Sequence, residues 1–429
     1  MSTTLLSLFV LISVTPSPQS WPQFRGPTGD GISQATDLPV SWTETQNIAW
    51  KVALPGRGRS SPVAADGRLW MTMAMERGVR RMQIGPDDMQ VAEHVSPGAV
   101  CVRRSDGRLL WHVTLFEIDK PDPVHWLNCW ATPTPVVDAG RLYCDFGTFG
   151  TACLDAQTGQ VVWKRRLPLD HQNGPGSSAT LWRDALILIR DGRDAQYVTA
   201  LDKKTGHELW KTNRPPLSGD RTDMKKSYST PLVIEEGGSP QMVVPGAQWV
   251  ASYNPASGRE IWRVRHGLGF SLVPRPVFGH GLVYICTGYF VPQLWAIRVD
   301  GHGDVTGTHV AWRATRQVPT LSSPIVVDDE LYWISDVGIA CCVDARTGKL
   351  HWQERLGGRC LASPIYAAGR LYFFGEEGKT TVLKAGKQFA RLAQNRLEGP
   401  LIATPAILGG AIFLRSDAHL FCIEGRSSP

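Results

Sequence analysis

Apolar and polar positions alternate along this chain in short runs, each set off by a turn. Arg68-Leu69-Trp70, Arg141-Leu142-Tyr143, Leu282-Val283-Tyr284 and Arg370-Leu371-Tyr372 follow Asp66-Gly67, Ala139-Gly140, Gly279-His280-Gly281 and Ala368-Gly369; Glu330-Leu331-Tyr332 has the same pattern. Period two over a few residues is the signature of a strand with one face on a core. Ahead of these runs stands a small residue and a proline: Ser61-Pro62, Thr134-Pro135, Thr230-Pro231, Ser323-Pro324, Ser363-Pro364 and Thr404-Pro405. Arg275-Pro276 and Ser178-Ala179 are variants of this step. Proline has no N–H for a ladder, so it suits the first residue of a strand or an edge. A longer phrase closes the unit. Leu154 to Trp163 returns as Leu201–Trp210, Tyr253–Trp262 and Val343–Trp352, and more loosely as Val102–Trp111. Its Thr-Gly or Asp-Gly turn supplies the positive φ of a tight hairpin. Its tryptophan offers a large apolar ring and one N–H for a backbone carbonyl.

Self-similarity at a period of roughly 40–60 residues marks a repeat architecture. Each unit reads as four short strands, and small antiparallel sheets repeated around an axis make a β-propeller. Counting first strands predicts an all-β, eight-bladed β-propeller of four-stranded antiparallel blades, with residues 21–429 as one domain. The seventh unit has Phe389 where tryptophan is expected. The eighth runs out at Ile423-Glu424, and Asn47 to Val52 supplies the missing last strand. That N-terminal strand closes the ring and removes an open sheet edge. An insertion at Asp300–Asp304 and a polar excursion from Glu76 to Pro97 interrupt the fifth and first units.

The net charge of +6 on 429 residues is diffuse, with no long basic run, and argues against nucleic acid. Leu5 to Val14 is an apolar run followed by Thr15-Pro16-Ser17-Pro18. It is too short to span a bilayer and matches the h-region of a secretory signal, although no Lys or Arg precedes it. Residues 1–20 are therefore expected to be a signal peptide. The protein is expected to be exported, periplasmic or extracellular, monomeric and without a transmembrane segment. Of nine cysteines, Cys101, Cys153, Cys342 and Cys422 hold one repeat position, which makes them core thiols in separate blades. Adjacent Cys341 and Cys342 point to opposite faces of a strand.

The repeat Ala-x-Asp-x-x-Thr-Gly-x-x-x-Trp resembles the tryptophan-docking motif of the pyrroloquinoline quinone (PQQ)-type eight-bladed propellers, over most of Trp21 to Glu424. Trp21-Pro22-Gln23-Phe24-Arg25-Gly26-Pro27-Thr28-Gly29-Asp30-Gly31 resembles the N-terminal signature of exported bacterial PQQ-like repeat proteins. Two branches give the resemblance functional content. Quinoprotein alcohol dehydrogenases hold PQQ in the channel against a tryptophan and a vicinal disulfide, beside a bound calcium. BamB-type outer-membrane assembly lipoproteins are non-enzymatic scaffolds with a lipidated cysteine. The chain departs from both. Cys341-Cys342 falls inside a third-strand repeat, the calcium ligands match no local motif, and no cysteine precedes Cys101.

No nucleophile elbow, phosphate loop, zinc pair or His-Glu-x-x-His motif is present in the sequence. The departures from the repeat carry the remaining signal. The connections His125–Trp130, Asp170–Ser177 and Asp220–Tyr228 are long, and loops between blades converge on one end of the channel. They nominate a polar, partly basic mouth between blades one and five: His125, Asn128, His171, Arg221, Lys225, Lys226, Tyr228 and Arg275, with Arg57, Arg59, Arg316 and Arg359 nearby. Arginine grips carboxylate or phosphate in bidentate fashion. Solvated loop charges balanced by Asp119, Asp122, Asp220 and Asp223 account for the same residues. Asp191 and Asp194 read as a calcium or acid–base pair, or as a hairpin turn, with the turn preferred. Met71, Met73, Met75 and Met82 read as an exposed partner surface or as an ordinary strand and loop. The leading expectation is a non-enzymatic exported binding or scaffold protein of the cell envelope. Its partner is an envelope protein or an anionic small molecule or glycan, and it needs no cofactor. The alternatives are a quinoprotein oxidoreductase using PQQ with calcium, and a hydrolase or lyase acting on sugars.

Overall fold

The alternating runs become strands in the expected order. In the second unit Val136–Asp138, Arg141–Asp145, Thr151–Asp155 and Val161–Arg165 lie side by side in chain order, antiparallel throughout. The computed structural model describes residues 20–425 apart from Leu268. Over these the chain makes eight sheets of four or five strands, plus one small three-stranded sheet. The expected signal peptide, except for its last residue, lies outside the described residues. No helix among the described residues is long and apolar enough to cross a membrane.

The small residue before each proline has a second role. Backbone N–H groups of Ser61, Thr134 and Ser178 donate to the hydroxyls of Thr134, Ser178 and Thr230 in the next blade, at 2.9–3.0 Å. Arg275, Ser323 and Ser363 donate likewise to Ser323, Ser363 and Thr404. Arg275 has no hydroxyl to receive Thr230, and Ser229 Oγ bridges that gap to the Pro274 carbonyl at 2.8 Å. An inner belt of hydrogen bonds thus joins neighbouring blades.

An outer belt is made by indoles. Trp111, Trp163, Trp210, Trp312 and Trp352 donate to the carbonyls of Gln157, Lys203, Pro255, Ala345 and Gly386 in the following blade, at 3.0–3.2 Å. Trp50, from the N-terminal strand, donates to Arg104 in blade one at 2.8 Å. The turn glycine is required twice over. Gly206 has φ 71° and lies beneath the Trp163 ring, where a Cβ would collide with the indole.

Two blades reach the same end differently. Trp262 donates to Gln241 Oε1 (2.8 Å), and Gln241 Nε2 passes the link to the Val299 carbonyl of blade five (3.0 Å). In blade seven the register sets Ala393 against Val382, as Trp163 sits against Cys153. Phe389 is therefore not in the tryptophan position; it packs edge-on against Trp352 of blade six at 5.4 Å. Trp42 fills the space instead. It stacks on Tyr372 at 6.4 Å, as Trp163 lies on Tyr143, and Asn395 accepts from the Trp42 backbone N–H and donates to the Val40 carbonyl, both at 2.9 Å.

Ile48–Ala53 pairs antiparallel with His419–Glu424 and completes blade eight, so the ring is closed by an N-terminal strand. The fifth-unit insertion sends Gly303–Asp304 back to pair with Glu260–Arg265 of blade four. All nine cysteines are free and buried. Cys341 faces the core between blades five and six, and Cys342 the core between six and seven.

Candidate functional site

The inner strands leave their free edges facing the channel, and the N-terminal arm uses them. Trp21 exchanges both backbone hydrogen bonds with Ala64 of blade one (2.7 and 2.8 Å), and the Pro22 carbonyl accepts from Val137 of blade two. Arg25 donates to the Pro324 carbonyl of blade six at 2.8 Å. Ile32–Ser33 runs parallel to Ile365–Ala367 of blade seven. Arg275 does not face an open mouth; its guanidinium donates to the Phe24 carbonyl at 2.6 Å. Both arginines are fully buried, and burial pushes their pKa values down to about 9 for Arg25 and about 10 for Arg275.

The mouth end of the channel is crossed by the excursion of blade one. It folds into the hairpin Arg80–Ile84 and Asp87–Val91, to which Val124–His125 adds a third strand. Trp126 follows directly. Arg359, from the connection into blade seven, lies 5.2 Å over its ring, and Arg81 lies 4.9 Å over it. Its carbonyl accepts from Arg59, on the connection into blade one (3.4 Å). On the far side Asp87 accepts from Gln172 (3.3 Å), and Gln172 accepts from Lys226 (2.7 Å). This small sheet is thus tied to connections entering blades one, three, four and seven, on both sides of the mouth.

The structure gathers most of the nominated residues beneath that sheet. His125 is half-buried, and burial holds its pKa below the usual value. Asn128 fastens the Asn173 and Pro175 carbonyls at 2.8 and 3.0 Å. His171 is buried. Its Nε2 accepts from the Thr148 N–H at 3.0 Å, and burial pushes its pKa to about 3. The proton therefore sits on Nδ1, a buried donor without a partner. Tyr228 donates to the His171 carbonyl at 2.9 Å. Lys226 is buried, and burial lowers its pKa to about 8. Lys225 lines a small cavity beside Asp191 and Arg214. Arg221 stands apart: it is exposed and bonded to Asp223 of its own loop at 2.6 Å.

Two buried ion pairs escaped the sequence reading. Arg190 grips Asp145 through both terminal nitrogens at 2.7 and 3.1 Å. Asp191 sits 3.4 Å from Arg214. The available signal was an Arg-Asp step continuing the fully apolar run Leu186 to Ile189. Neither carboxylate oxygen of Asp191 has a hydrogen-bond partner, and burial raises its pKa to about 6. Asp194 points away and accepts from the Asp170 and Ala195 N–H groups, so the two carboxyls do not converge and the turn explains their spacing. The methionine surface needs correction. Met71 and Met73 are buried in sheet cores, and only Met75 and Met82 are exposed.

The residues present do not fit PQQ as the dehydrogenases hold it. The vicinal cysteines face two separate cores, and the arm occupies the inner-strand edges along the channel. No group of three or more His, Cys, Asp or Glu is placed to hold a metal among the described residues.

Comparison with known proteins agrees with this architecture. The quinone alcohol dehydrogenase subunit of Gluconacetobacter polyoxogenes is 24% identical over 408 residues, covering 81% of this chain and 51% of that protein. The chain spans about half the length of the first curated relatives it matches. BamB from Moraxella catarrhalis aligns with TM-score 0.56 and 15% identity, covering 82% of this chain and 97% of its own. Quinohaemoprotein alcohol dehydrogenase from Comamonas testosteroni aligns with TM-score 0.62 and 10% identity, covering 95% and 81%. These structural likenesses carry fold alone. Residues 97–242 and 246–393 match the model of the PQQ_2 family, described as outer membrane protein assembly factor BamB, and since this is more than half of the sequence the chain belongs to that family.

Proposed function

We propose that the protein is a non-enzymatic binding scaffold of the bacterial cell envelope, exported and engaged with an envelope protein. One observation carries this reading. The chain's own arm runs along the inner-strand edges of the channel and its own three-stranded sheet crosses the mouth, which leaves the rim of connections around that sheet, Lys225 among them, for a partner. The family's description as an outer membrane assembly factor supports the same class. The polar mouth formed by His125, Asn128, His171, Lys225, Lys226 and Tyr228 serves here chiefly to anchor the covering sheet. Arg221 and Arg275 then have separate roles, on the loop surface and at the arm. A second reading, a quinoprotein oxidoreductase, draws support from the likeness to the dehydrogenase subunit over 81% of the chain.

One pair of measurements separates them. Incubation with PQQ and calcium is expected to give neither a quinone absorbance on the protein nor dye-linked alcohol oxidation. A photo-crosslinker at Lys225 in the source bacterium is expected to trap an outer-membrane assembly protein, and one at Val161 is not. Alcohol oxidation on reconstitution, or no crosslink at Lys225, would overturn the scaffold reading.

A further inference from the structure

The mouth end of the ring carries two apolar protrusions that the fold leaves unused. In blade five the chain rises between Leu282–Cys286 and Leu294–Arg298. Its tip is Tyr289-Phe290-Val291, and Tyr289 and Phe290 are 61% and 62% exposed. Phe290 has φ 83°, a conformation a bulky side chain keeps only where the surroundings impose it. The surroundings do so here. Thr287 Oγ1 donates to the Val291 carbonyl (2.8 Å) and accepts from the Gln293 N–H (2.9 Å). Phe270 lies edge-on under Tyr289 at 5.8 Å, and the Tyr289 N–H bonds its carbonyl. This is a built tip rather than slack chain. Four blades round the ring, every residue of Arg80–Ile84 is exposed, with Met82 and Ile84 as its apolar members and Val79 exposed just before it. Both protrusions arise between the second and third strands of their blades, so they stand at the same end.

Each protrusion is accompanied by arginines. Arg313 and Arg316 of blade five, and Arg265 at the end of the last strand of blade four, are exposed. Arg313 lies 3.8 Å over Trp295, and Arg265 lies 5.7 Å over Trp249. Arg77 and Arg80 are exposed on the other protrusion. The neighbouring carboxylates are engaged within the fold: Asp88 by Arg81, Asp87 by Gln172, Glu76 by Arg57, Asp119 by His94, Asp304 by Thr306 and Asp336 by Thr320. Glu93 packs against Gly78. Among the described residues these five arginines have no carboxylate within 4.0 Å.

We infer that this end of the propeller docks on an anionic bilayer surface, with Tyr289, Phe290 and Val291 entering the headgroup layer and the arginines meeting lipid phosphates. Shape and area favour lipid over protein. A stable protein interface takes about 800 Å² from each partner, in a continuous patch. Two small convex tips, one on blade five and one on the edge strand of the sheet over the mouth, do not offer that. They do suit a flat, deformable surface, where aromatic rings settle at headgroup depth and each surface arginine adds attraction to anionic lipid. Two contacts across the disc also fix its tilt. The inference stands independently of the scaffold reading, because it needs only the purified protein and lipid.

Vesicle flotation of the full chain tests it. The protein is expected to float with vesicles containing phosphatidylglycerol and to stay behind with pure phosphatidylcholine. Tyr289→Ser with Phe290→Ser should lower the bound fraction about tenfold. Arg316→Glu, at an exposed position that does not challenge folding, should lower it about fivefold. Leu350→Ser, at the opposite end, should leave it unchanged. Failure of the wild type to float with anionic vesicles overturns the inference. So does flotation that survives both mouth-end variants, or that falls equally with Leu350→Ser. Binding that is lost with either mouth-end variant alone, with melting curves unchanged, supports it.

Discussion

His171, buried, and His266, half-buried, are neutral rings, their pKa values pushed down by desolvation to about 3 and about 4. In the unfolded chain a histidine titrates near 6.5. The folded values are lower, so the stability these rings contribute is present above pH 6.5 and is lost as pH falls below it. At pH 5 each costs about 2 kcal/mol relative to pH 7. Asp191 works in the opposite sense. Burial raises its pKa to about 6, so holding it charged is unfavourable above that, and stability returns as pH falls from 6 towards 4, by about 1 kcal/mol at pH 5. The balance is acid lability of about 2–3 kcal/mol between pH 7 and pH 5, read from urea midpoints. His266→Asn should remove about 2 kcal/mol of that fall, and an unaltered pH slope would refute the assignment. Gln241 offers a sharper case. Gln241→Leu leaves the Trp262 N–H and the Val299 carbonyl unpaired, and is expected to cost about 2–4 kcal/mol in denaturant unfolding. The Ser252 hydroxyl, which also donates to Gln241 Oε1 at 3.1 Å, loses its partner as well, so the loss reads the whole hydrogen-bonded cluster that joins blades four and five.

The N-terminal arm does three jobs along its length: Trp21 to Ser33 lines the channel, Trp42 packs on blade seven and Ile48–Ala53 closes blade eight. Trp42→Ala should therefore destabilise the protein by about 3–5 kcal/mol, as loss of a buried docking indole would, and open the arm to protease near Thr43. Phe389→Ala should cost less, since Phe389 is only partly buried against Trp352. This contrast marks where the sequence could be read. The tryptophan phrase, the turn glycines and the alternating runs are local, and local patterns repeat, so strands and closure were legible. Trp42 finds Tyr372 and Arg25 finds Pro324 across some three hundred residues, and no period encodes such a meeting. The excursion from Glu76 to Pro97 was legible as a departure from the repeat, but its path over the mouth was not. His125, Asn128, His171, Lys226 and Tyr228 lie together because long connections converge. Arg221 was nominated by the same rule and lies outside because Asp223, two residues on, satisfies it first. Asp145 and Arg190 were missed because each sits inside a strand, where charge is usually a solvated face.

At the scale of the ring, the nine thiols report how the molecule opens. All are buried and unpaired, and burial holds Cys341, Cys342, Cys360 and Cys422 at pKa values of about 12. Such thiols carry almost no thiolate at neutral pH, so reagent reaches them through opening. The native protein should therefore label at no cysteine within minutes, and Cys341–Cys342 should remain two thiols in its mass spectrum, as strand neighbours on opposite faces must. The seam between the closing strand Ile48–Ala53 and His419–Glu424 completes blade eight from distant chain. There Trp50 sits directly opposite Cys422 and anchors the closing strand to blade one. Trp50→Ala removes that anchor without touching blades two to six. If the seam opens before the ring unfolds, peptide mapping should show Cys422 labelling at least about tenfold faster in this variant, with Cys286 in blade five unchanged. If the ring unfolds only as one unit, both cysteines must accelerate by the same factor. The inner belt of hydroxyl bonds still joins blade seven to blade eight in the variant, and the arm still holds the channel edges, so the remaining fold has reason to stay shut while the seam frays. Selective labelling of Cys422 is the expected result, and equal acceleration would show that the closing strand and the ring form a single cooperative unit.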